Sequence, residues 1–309
     1  MNVNNSTTKV SILVPVYNAS GCLLDCVNSI VRQSYGNLQI VLINDGSTDD
    51  SWELMKELAL NDRRIEVYSQ PNNGVATTRN NLLDKANGDW VLFVDSDDTI
   101  LPDTVEILLH EQEATGADMI VFNQRQPRHY DQETVIREFL RHREFRGMLW
   151  NKLLKREQLK GLKFDPSVSY GEDALMIWQV LQRVNLVVAI DKMLYQYRPG
   201  EESLSRQRFN GKKFTAYTVW DSICCDADEH WPQYHDIAHA RFACEMTQIL
   251  KSAAASDYRH DNSIDLLQEE VRRDGHLISR TGISSAKMSM FAWLVSRCYW
   301  LARFVSKRV

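Results

Sequence analysis

The 309-residue sequence predicts an α/β fold with a mainly parallel sheet, followed by a helical C-terminal region. Short apolar runs alternate with amphipathic stretches over residues 9–122, which is typical of βαβ units. Polar and acidic residues directly follow three of these runs, as they do at the carboxyl ends of strands in an open sheet. After about residue 209 the pattern is helical to the end of the chain.

Each element of the first half follows from an apolar run and the break that ends it. The run KVSILVPV predicts a first strand, and the next stretch places Leu23, Val27 and Ile30 on one helix face. The PNNG turn breaks the chain before the third helix. The expected strands cover residues 9–16, 38–43, 65–69, 90–94 and 118–122, and the helices after the second, third and fourth strands cover about 50–60, 75–86 and 103–115.

The pattern is less regular in the middle of the chain. Residues 123–145 are polar and are expected to form an irregular connection. The stretch WNKLLKR (150–156) is expected to begin a helix, and residues 170–184 form an amphipathic helix with two acids at its N-terminus. Two short strands are expected over 184–190 and 193–198.

The length allows about two domains, and we expect a first domain over residues 1–205 and a helical region over 206–309. Six of the 36 Lys and Arg residues, but none of the 41 acids, lie beyond Asp274. The tail, about 285–309, is also rich in Trp, Phe and Tyr, which predicts an amphipathic helix on an anionic membrane surface. The alternative is a terminal helix docked on the body with its basic side chains outward.

The bulk composition argues against several classes of protein. A net charge of −5 gives no electrostatic footprint for nucleic acid, so no nucleic-acid partner is expected. The six cysteines form no CxxC pair and the chain starts without a signal-peptide pattern, which indicates a cytoplasmic protein with reduced thiols. No apolar run approaches the ~20 residues of a membrane span. A G-x-G-x-x-G motif after the first strand and a Walker A loop are both missing, which argues against a dehydrogenase and a P-loop NTPase.

The most informative motif is the acidic end of the strand predicted over residues 90–94. Asp95, Asp97 and Asp98 follow the buried run where open α/β sheets bind their ligands. Crowded carboxylates repel one another and need a cation or hydrogen-bond donors. Two hard oxygen ligands together with substrate phosphates are typical of bound Mg²⁺ or Mn²⁺. The alternative is a turn in which an Asp caps the next helix.

Three further places have both a functional and a structural interpretation. Asp45, in NDGSTDD, can accept hydrogen bonds from a base or sugar edge, or belong to an ordinary βα turn. Arg79 can bind a diphosphate bidentately, or lie solvated at the surface. Glu172 and Asp173 can supply a general base for an acceptor hydroxyl, or merely favour the positive end of a helix dipole.

The sequence HDIAH (235–239) resembles the zinc-protease motif HExxH with Asp in place of Glu. The shorter Asp changes the geometry, and no third ligand is apparent. We therefore expect a surface or packing role for these two histidines.

Four motifs in order resemble those of the family 2 glycosyltransferases, which have the Rossmann-like GT-A fold. They are VPVYN (14–18), INDGSTDDS (43–51), NNGVATTRN (72–80) and FVDSDD (93–98). The resemblance continues through WNKLLKR and YGEDALMIW and fades after about Ser205. One departure is Thr78, where the family often has Ala, and we expect this departure to matter little.

The resemblance implies a nucleotide-sugar donor, most often a UDP-sugar, and it assigns residues to the nucleotide. Pro15, Tyr17 and Asn18 are implied to line the nucleotide pocket. Asp45 is implied to read the uracil, and Arg79 to contact the nucleotide or its diphosphate.

The resemblance also divides the strand-end acids by role. Asp95 is implied to be the ribose-side acid and Asp97 the ligand of Mn²⁺ or Mg²⁺. Asp98 is implied to support the metal ligand or to contact the sugar. Arg198, in YQYRPGEESLS, is implied to reach the phosphates when a loop closes.

On the acceptor side, Asp173 matches the catalytic base and Glu172 is implied to position the acceptor, with inversion at the anomeric carbon. We expect a metal-dependent enzyme on the cytoplasmic face of a bacterial inner membrane, acting on a lipid-linked or lipopolysaccharide glycan. One alternative is a non-catalytic sugar-nucleotide-binding or scaffold protein, against which the presence of Asp97 and Asp173 argues. Another is a nucleotidyltransferase, whose Gly-rich N-terminal phosphate loop this chain lacks.

Overall fold

The computed structural model describes residues 8–142, 145–198, 209–256 and 258–306, with side chains described as far as Ala302. The chain divides into two compact units. The first, called the α/β unit, comprises Met1–Val135, Gly147–Pro166 and Met176–Gly200, and the second, called the helical unit, comprises Ile136–Arg146, Ser167–Leu175 and Glu201–Val309. The domain boundary expected at residues 205–206 lies outside the described residues, so that division stays a prediction.

The first half of the α/β unit contains the predicted strands and helices, with bounds that differ from the expected ones by no more than two residues, and one short strand, β5, that was not predicted. The apolar runs of β1, β2 and β4 form strands because they are buried on both faces of a parallel sheet, whereas β3 is only partly buried and β5 lies in a separate two-stranded sheet. The strands are β1 (Val10–Val16), β2 (Leu38–Asp45), β3 (Ile65–Gln70), β4 (Trp90–Phe93), β5 (Thr99–Ile100) and β6 (Met119–Val121), and the helices are α1 (Leu23–Val31), α2 (Ser51–Asn61), α3 (Val75–Lys85) and α4 (Thr104–Thr115).

The middle of the chain corrects two expectations. The stretch 123–145 is not an irregular connection, because it contains a strand and a helix, and WNKLLKR forms a strand where a helix start was expected. The elements are β7 (Arg128–Asp131), α5 (Gln132–Arg141), β8 (Lys152–Lys155), α6 (Arg156–Leu159), α7 (Glu172–Leu181), β9 (Leu186–Ala189) and β10 (Tyr195–Gln196).

Among the described residues, eight strands form one mixed sheet in the order β3-β2-β1-β4-β8-β6-β9-β7. β1 pairs in parallel with β2 and β4, β2 with β3, and β6 with β9. The antiparallel partners are β8, between β4 and β6, and β7 at the edge. The predicted α/β class with a mainly parallel sheet is confirmed, and the carboxyl ends of β1 to β4 share one edge of the sheet.

Strand β8 shows why WNKLLKR was misjudged. Leu153 and Leu154 are fully buried, and β8 is paired along both sides. The ammonium of Lys152 is buried as well, and it donates to Met148 O at 2.5 Å and to Asn151 Oδ1 at 2.8 Å. Pairing on both sides and burial outweigh the weak β propensity of Leu and Lys here.

The described part of the helical unit beyond residue 209 is helical, as expected. α9 is its most buried long helix, with Ala238, Phe242 and Met246 almost fully covered. The helices are α8 (Ala216–His230), α9 (His235–Ala255), α10 (Asn262–Asp274), α11 (Leu277–Arg280), α12 (Ala286–Arg297) and α13 (Tyr299–Ser306).

The tail consists of α12 and α13, and its two faces differ. Ala292 and Val295 are buried within the helical unit, and Val295 O accepts from Gln268 Nε2 at 2.6 Å. Trp293 and Trp300 remain 60% and 64% exposed. One face of the tail therefore docks on the helical unit, as the alternative interpretation required, and the other presents aromatic side chains. In the part of the chain that the structure describes, none of the helices has the length and apolar character to cross a bilayer.

Candidate active site

The loops that follow β1 and β2 are bound to each other. The backbone N of Asn18 donates to Ser47 Oγ at 2.9 Å, and Asn18 Oδ1 accepts from the Thr48 backbone N at 2.8 Å. The backbone N of Ser20 donates to Asp49 Oδ2 at 2.9 Å. Burial acts to raise the pKa of Asp49, but hydrogen bonds from neighbouring serines lower it to about 2. The two loops therefore form one hydrogen-bonded floor at the carboxyl ends of β1 and β2.

The other residues implied to line the nucleotide pocket lie beside this floor. Pro15 is within β1 and partly buried, whereas Tyr17 directly follows the strand and is 51% exposed. An exposed aromatic ring offers an apolar face on which a planar base can stack. The geometry is compatible with the implied roles of Pro15, Tyr17 and Asn18, which stay predictions.

Asp45, at the end of β2, is 5% exposed and fixes the PNNG turn. Its Oδ1 accepts from Gln70 Nε2 at 2.8 Å and from the Asn73 backbone N at 2.9 Å, and its Oδ2 accepts from the Gly74 backbone N at 3.0 Å. Asp45 thus holds the start of α3 against its own loop. Its expected contact with uracil stays a prediction.

Two neighbours of Asp45 complete this junction. Gly46 has φ of 69°, and a Cβ there would lie 2.6 Å from the Asn72 backbone N, so the close approach of the two loops requires glycine. The buried hydroxyl of Thr78 accepts from Gln70 Nε2 and donates to Gly74 O, both at 3.0 Å. The Ala that is common in the family would lose both bonds, so Thr78 has a structural role that the sequence did not indicate.

Arg79 lies buried beside the strand-end acids. Its side chain is 8% exposed, and its Nη2 is 3.8 Å from Asp95 Oδ1. The guanidinium also lies over the Phe164 ring, 5.7 Å from its centroid. These contacts exclude the interpretation of Arg79 as a solvated surface residue. They give the edge of the sheet a fixed positive charge next to a carboxylate that is 37% exposed.

Asp98 is fully buried and its two oxygens are both in use. Oδ2 accepts from the Tyr195 hydroxyl and Oδ1 from the Arg198 backbone N, each at 2.7 Å. The same hydroxyl accepts from the Asp95 backbone N at 3.1 Å. Burial raises the pKa of Asp98 to about 6 despite these two hydrogen bonds. Asp98 therefore anchors the chain around β10, and its expected contact with a metal ligand or sugar stays a prediction.

Asp97 differs from both of its acidic neighbours. Its partly exposed side chain makes no hydrogen bond or ion pair with any residue that the structure describes. After burial, the Asp97 charge is the largest cause that raises the pKa of the Cys22 thiol, at the start of α1. Within the described ranges, the strand-end acids do not bring three ligand atoms within 4.8 Å of one another. An open carboxylate next to Asp95 fits Mg²⁺ or Mn²⁺, which proteins hold by one or two carboxylates completed by substrate phosphates.

Arg198 is held by its backbone at Asp98, while its side chain lies at the surface. The Arg198 Nη2 is 2.9 Å from Asp25 Oδ2 in α1, and the two side chains are 51% and 59% exposed. The loop that was implied to carry Arg198 to the phosphates, residues 199–205, lies outside the described residues. The phosphate contact of Arg198 stays a prediction.

Glu172 and Asp173 belong to the helical unit, unlike the strand-end acids. They open α7 directly after Gly171, whose φ is 95°. A first-turn position is also what the helix-dipole interpretation requires. The roles of Asp173 as base and Glu172 as positioning residue stay predictions.

Sequence reasoning missed Tyr195, the residue that ties this edge together. Its hydroxyl bonds to Asp95 and Asp98, and its ring packs on Trp150 with centroids 4.6 Å apart. The only available signal was an aromatic residue in a short strand, YQYR, and such a residue is ordinarily part of the core. A contact that spans 100 residues of sequence has no local pattern.

Solved structures share this architecture. The structure of S. aureus TarS 1-349 in complex with UDP superimposes with a TM-score of 0.69 at 17% identity, covering 97% of this chain and 90% of TarS 1-349. The mannosyltransferase PcManGT from Pyrobaculum calidifontis, in complex with GDP-Man and Mn²⁺, gives a TM-score of 0.58 at 15% identity, covering 99% of this chain and 88% of that one. At these identities the likeness defines the fold, which is that of the GT-A glycosyltransferases.

The family follows from the sequence match. The model of glycosyl transferase family 2 matches residues 11–177, more than half of the chain. GlyA, a glycosyltransferase of Streptococcus pneumoniae, is 34% identical over 220 residues, which are 64% of this chain and 32% of GlyA. The chain thus spans about a third of that relative's length. It belongs to glycosyltransferase family 2, which confirms the resemblance found in its motifs.

Proposed function

We propose that this protein is an inverting, divalent-metal-dependent enzyme that transfers a sugar from a UDP-sugar to a hydroxyl of a lipid-linked or lipopolysaccharide glycan. The product would carry a β-glycosidic bond. One observation carries the proposal: among the described strand-end acids, Asp97 is the partly exposed one that makes no hydrogen bond or ion pair, and it follows the Arg79–Asp95 pair and precedes the buried Asp98. An edge of this kind can hold a cation together with an anionic ligand, which is what a nucleoside diphosphate requires.

The proposal of a nucleotide-sugar donor rests on the groups that lie at the carboxyl ends of the strands. Tyr17 and Asn18 lie on the floor formed by the loops after β1 and β2, where a nucleoside would lie. Arg79 and Asp95 are paired at the same edge of the sheet, and the Arg79 guanidinium can bind a phosphate bidentately. That S. aureus TarS has been solved with UDP and with UDP-GlcNAc supports a UDP-sugar as the donor.

Asp97 would hold Mn²⁺ or Mg²⁺, with Asp95 as the ribose-side acid of the nucleotide. The ion would supply Lewis-acid stabilisation for the negative charge that develops on the departing diphosphate. The Mn²⁺ complex of PcManGT supports a divalent ion. Asp98 contributes indirectly in this proposal, because its carboxylate anchors the Arg198 backbone and the Tyr195 hydroxyl. Tyr195 in turn fixes the backbone of Asp95.

Asp173 would accept the proton of the acceptor hydroxyl, with Glu172 positioning the acceptor. A base must be within hydrogen-bond reach of that proton, directly or through one water. Attack on the face opposite the departing diphosphate inverts the anomeric carbon. This is why the acid that takes the proton is distinct from the acid that holds the ion.

A thermal-shift screen of nucleotide sugars with Mn²⁺, followed by turnover assays, tests the proposal. We expect a UDP-sugar to raise the unfolding temperature most. Asp173→Asn should keep that shift but lower kcat by about 10²–10⁴-fold. Glu113→Gln, an exposed acid in α4, is the control and should leave turnover unchanged. Unchanged turnover of Asp173→Asn would remove this residue from the role of base, and binding without turnover across acceptors would favour a non-catalytic protein.

We also propose that the exposed face of the tail rests on an anionic membrane surface at the cytoplasmic face of the inner membrane. Trp293 and Trp300 are exposed, and the ring of Trp293 lies 5.0 Å from the Arg297 guanidinium carbon. Aromatic and basic side chains together favour the interface of an anionic bilayer.

Because the other face of the tail packs within the helical unit, the test changes only exposed residues. The double variant Trp293→Ser/Trp300→Ser should lose sedimentation with phosphatidylglycerol vesicles. Leu60→Ser, which removes an 88% exposed apolar side chain from α2, is the control and should keep it. Equal vesicle binding by the wild type, the double variant and Leu60→Ser would contradict the membrane proposal.

A further inference from the structure

A second group of ionisable side chains lies within the helical unit, on three helices. His235 and His239 are one turn apart at the start of α9, and Asp228 lies near the end of α8. His235 Nδ1 is 2.7 Å from Asp228 Oδ1, and His239 Nε2 is 3.1 Å from Asp228 Oδ2. From α10, Asp274 approaches the other side of the His239 ring. The two histidines are those of HDIAH, for which the sequence offered no third ligand.

The three residues Asp228, His235 and His239 can meet at one point. Each offers a ligand atom, and these atoms all lie within 4.8 Å of one another. The two imidazole rings are 4.2 Å apart between centroids. Histidines at positions i and i+4 face the same side of a helix, which is how helical metal sites present two nitrogens. His235 and Asp228 are half exposed, so an ion could enter from solvent.

The neighbours of His239 determine which of its ring nitrogens is available to bind a metal ion. Its Nδ1 is 2.9 Å from Asp274 Oδ2, and that carboxylate is held by Arg273 Nε at 3.0 Å. If Nδ1–H donates to Asp274, Nε2 carries the lone pair and faces Asp228 and His235. A carboxylate behind a histidine is the usual outer partner of a metal-bound imidazole.

The charge of the cluster also favours a cation. Glu270 is 2% exposed and one of its oxygens is 2.5 Å from Arg273 Nη2. Its Oε1 is buried and accepts no hydrogen bond from the residues that the structure describes. Burial raises the pKa of Glu270 to about 7. The Arg273 charge acts to lower this pKa, and the Asp274 carboxylate acts to raise it further. Glu270 and Asp274 both lie against Arg273, and Asp228 adds a further carboxylate beside His235 and His239. With neutral imidazoles, a divalent ion would balance the excess negative charge.

We propose that Asp228, His235 and His239 bind one divalent transition-metal ion of the zinc class, with Asp274 as the outer partner of His239. Two imidazoles and one carboxylate suit Zn²⁺ rather than Mg²⁺ or Ca²⁺, which prefer oxygen ligands alone. Water would complete a tetrahedral shell. The ion would join α8 to α9 and stabilise the helical unit, and it is separate from the ion proposed for Asp97. In the competing arrangement no metal is bound. Both ring nitrogens of His239 are then protonated, one facing Asp228 and the other facing Asp274.

Isothermal titration of the metal-free, full-length protein with Zn²⁺ tests the proposal. We expect one ion per chain, with a rise of at least about 4 °C in the unfolding temperature at saturation, because an ion that binds only the folded state stabilises it. His235→Gln and His239→Gln should each weaken Zn²⁺ binding at least about tenfold, and Asp274→Asn by about 10–100-fold.

Two controls separate this site from adventitious binding. His230→Gln removes a histidine of similar exposure, paired with Asp226, and should keep full Zn²⁺ affinity. Cys225→Ser removes an exposed thiol on the same helix as Asp228 and should also keep it. His235 is exposed, so His235→Gln should remain folded, and circular dichroism verifies this. No saturable Zn²⁺ binding by the wild type, or equal binding by His235→Gln, would overturn the proposal.

Discussion

The two acid clusters of this molecule satisfy their carboxylates in different ways. At the strand end, the buried Asp98 accepts hydrogen bonds from a hydroxyl and a backbone amide, whereas the Asp97 side chain makes no hydrogen bond or ion pair with the described residues. In the helical unit, Asp228 and Asp274 both lie against the His239 ring. The first cluster contains no imidazole and leaves one carboxylate open, whereas the second provides two imidazoles.

This difference indicates what each cluster can hold. An open carboxylate without further protein ligands holds an ion only together with a second molecule, so its occupancy would follow the substrate. Two imidazoles and a carboxylate can hold an ion by protein groups alone, so that ion would be resident and structural. In these two proposals the same residue type, Asp, would bind an exchangeable ion in one unit and a permanent one in the other.

The largest effect should come from the open carboxylate of the strand end. Asp97→Asn should lower kcat by about 10²–10³-fold, because it removes charge at the position where the diphosphate departs. EDTA should abolish wild-type turnover, and excess Mn²⁺ should restore the wild type but not the variant. Asp103→Asn, which changes an exposed acid directly before α4, is the control and should behave as wild type. Full activity of Asp97→Asn in EDTA would refute an exchangeable ion at this residue.

The buried member of the same cluster should affect stability more than charge. Asp98→Ala leaves the Tyr195 hydroxyl and the Arg198 amide without their acceptor, and we expect a loss of about 2–4 kcal/mol in the free energy of unfolding. Urea denaturation of Asp98→Ala and Asp97→Ala measures the contrast, with the second expected to change by less than about 0.5 kcal/mol. Similar losses in both variants would mean that Asp97 contributes as much to stability as Asp98 does.

Tyr195→Phe tests the connection between Asp95 and Asp98 without changing charge. The loss of one hydroxyl leaves a buried carboxylate oxygen and a backbone N–H unsatisfied, and we expect a cost of about 1–2 kcal/mol. KM for the donor should rise as well, since the Asp95 backbone loses its support. Tyr68→Phe removes a less buried hydroxyl bonded to Glu66 and should cost less in the same urea titration. An unaltered donor KM would limit Tyr195 to a purely structural role.

The smallest effect should come from the frame of the second cluster. Asp261 caps α10 by accepting from the backbone N of Ser263 and Ile264 at 3.0 and 3.1 Å. Asp261→Ala should destabilise the protein by about 1 kcal/mol, as loss of an N-cap does. Because the opposite end of α10 carries Asp274, Zn²⁺ affinity by calorimetry should change less than about threefold. A larger loss of affinity would mean that the cluster depends on the whole helix and not on its side chains.

The parallel half of the fold was predictable because its signals are local. β1, β2 and β4 are each an apolar run with a polar tip, and that pattern indicates both the strand and its direction. Topology then placed Asp45, Asp95 and Asp97 on the common edge, whereas Arg79 was named from the family resemblance. β7 was missed because an edge strand with one buried residue, Tyr130, has no apolar run.

The connections between these elements were not predictable from local pattern. The contacts of Asp45 with Gln70 at the end of β3 and with two backbone amides of the PNNG turn have no local signal, and its expected role of reading a base stays a prediction. In the helical unit, Asp228 and Asp274 reach His239 from helices on either side of α9 in sequence. Helical spacing places His235 and His239 on one face but says nothing about which helix covers that face.

The strand-end site also has a consequence for the order in which the chain folds. Asp95 and Asp98 contact Tyr195 and Arg198 across 100 residues of chain. The donors that bind the Asp98 carboxylate are therefore missing until that later segment has been synthesised. Contacts of such separation form late because a long loop must close before they contribute. A nascent chain halted before residue 195 would therefore contain all four motifs of the family yet lack the hydrogen bonds that bury Asp98. Completion of the site would be coupled to synthesis of the last strand, β10.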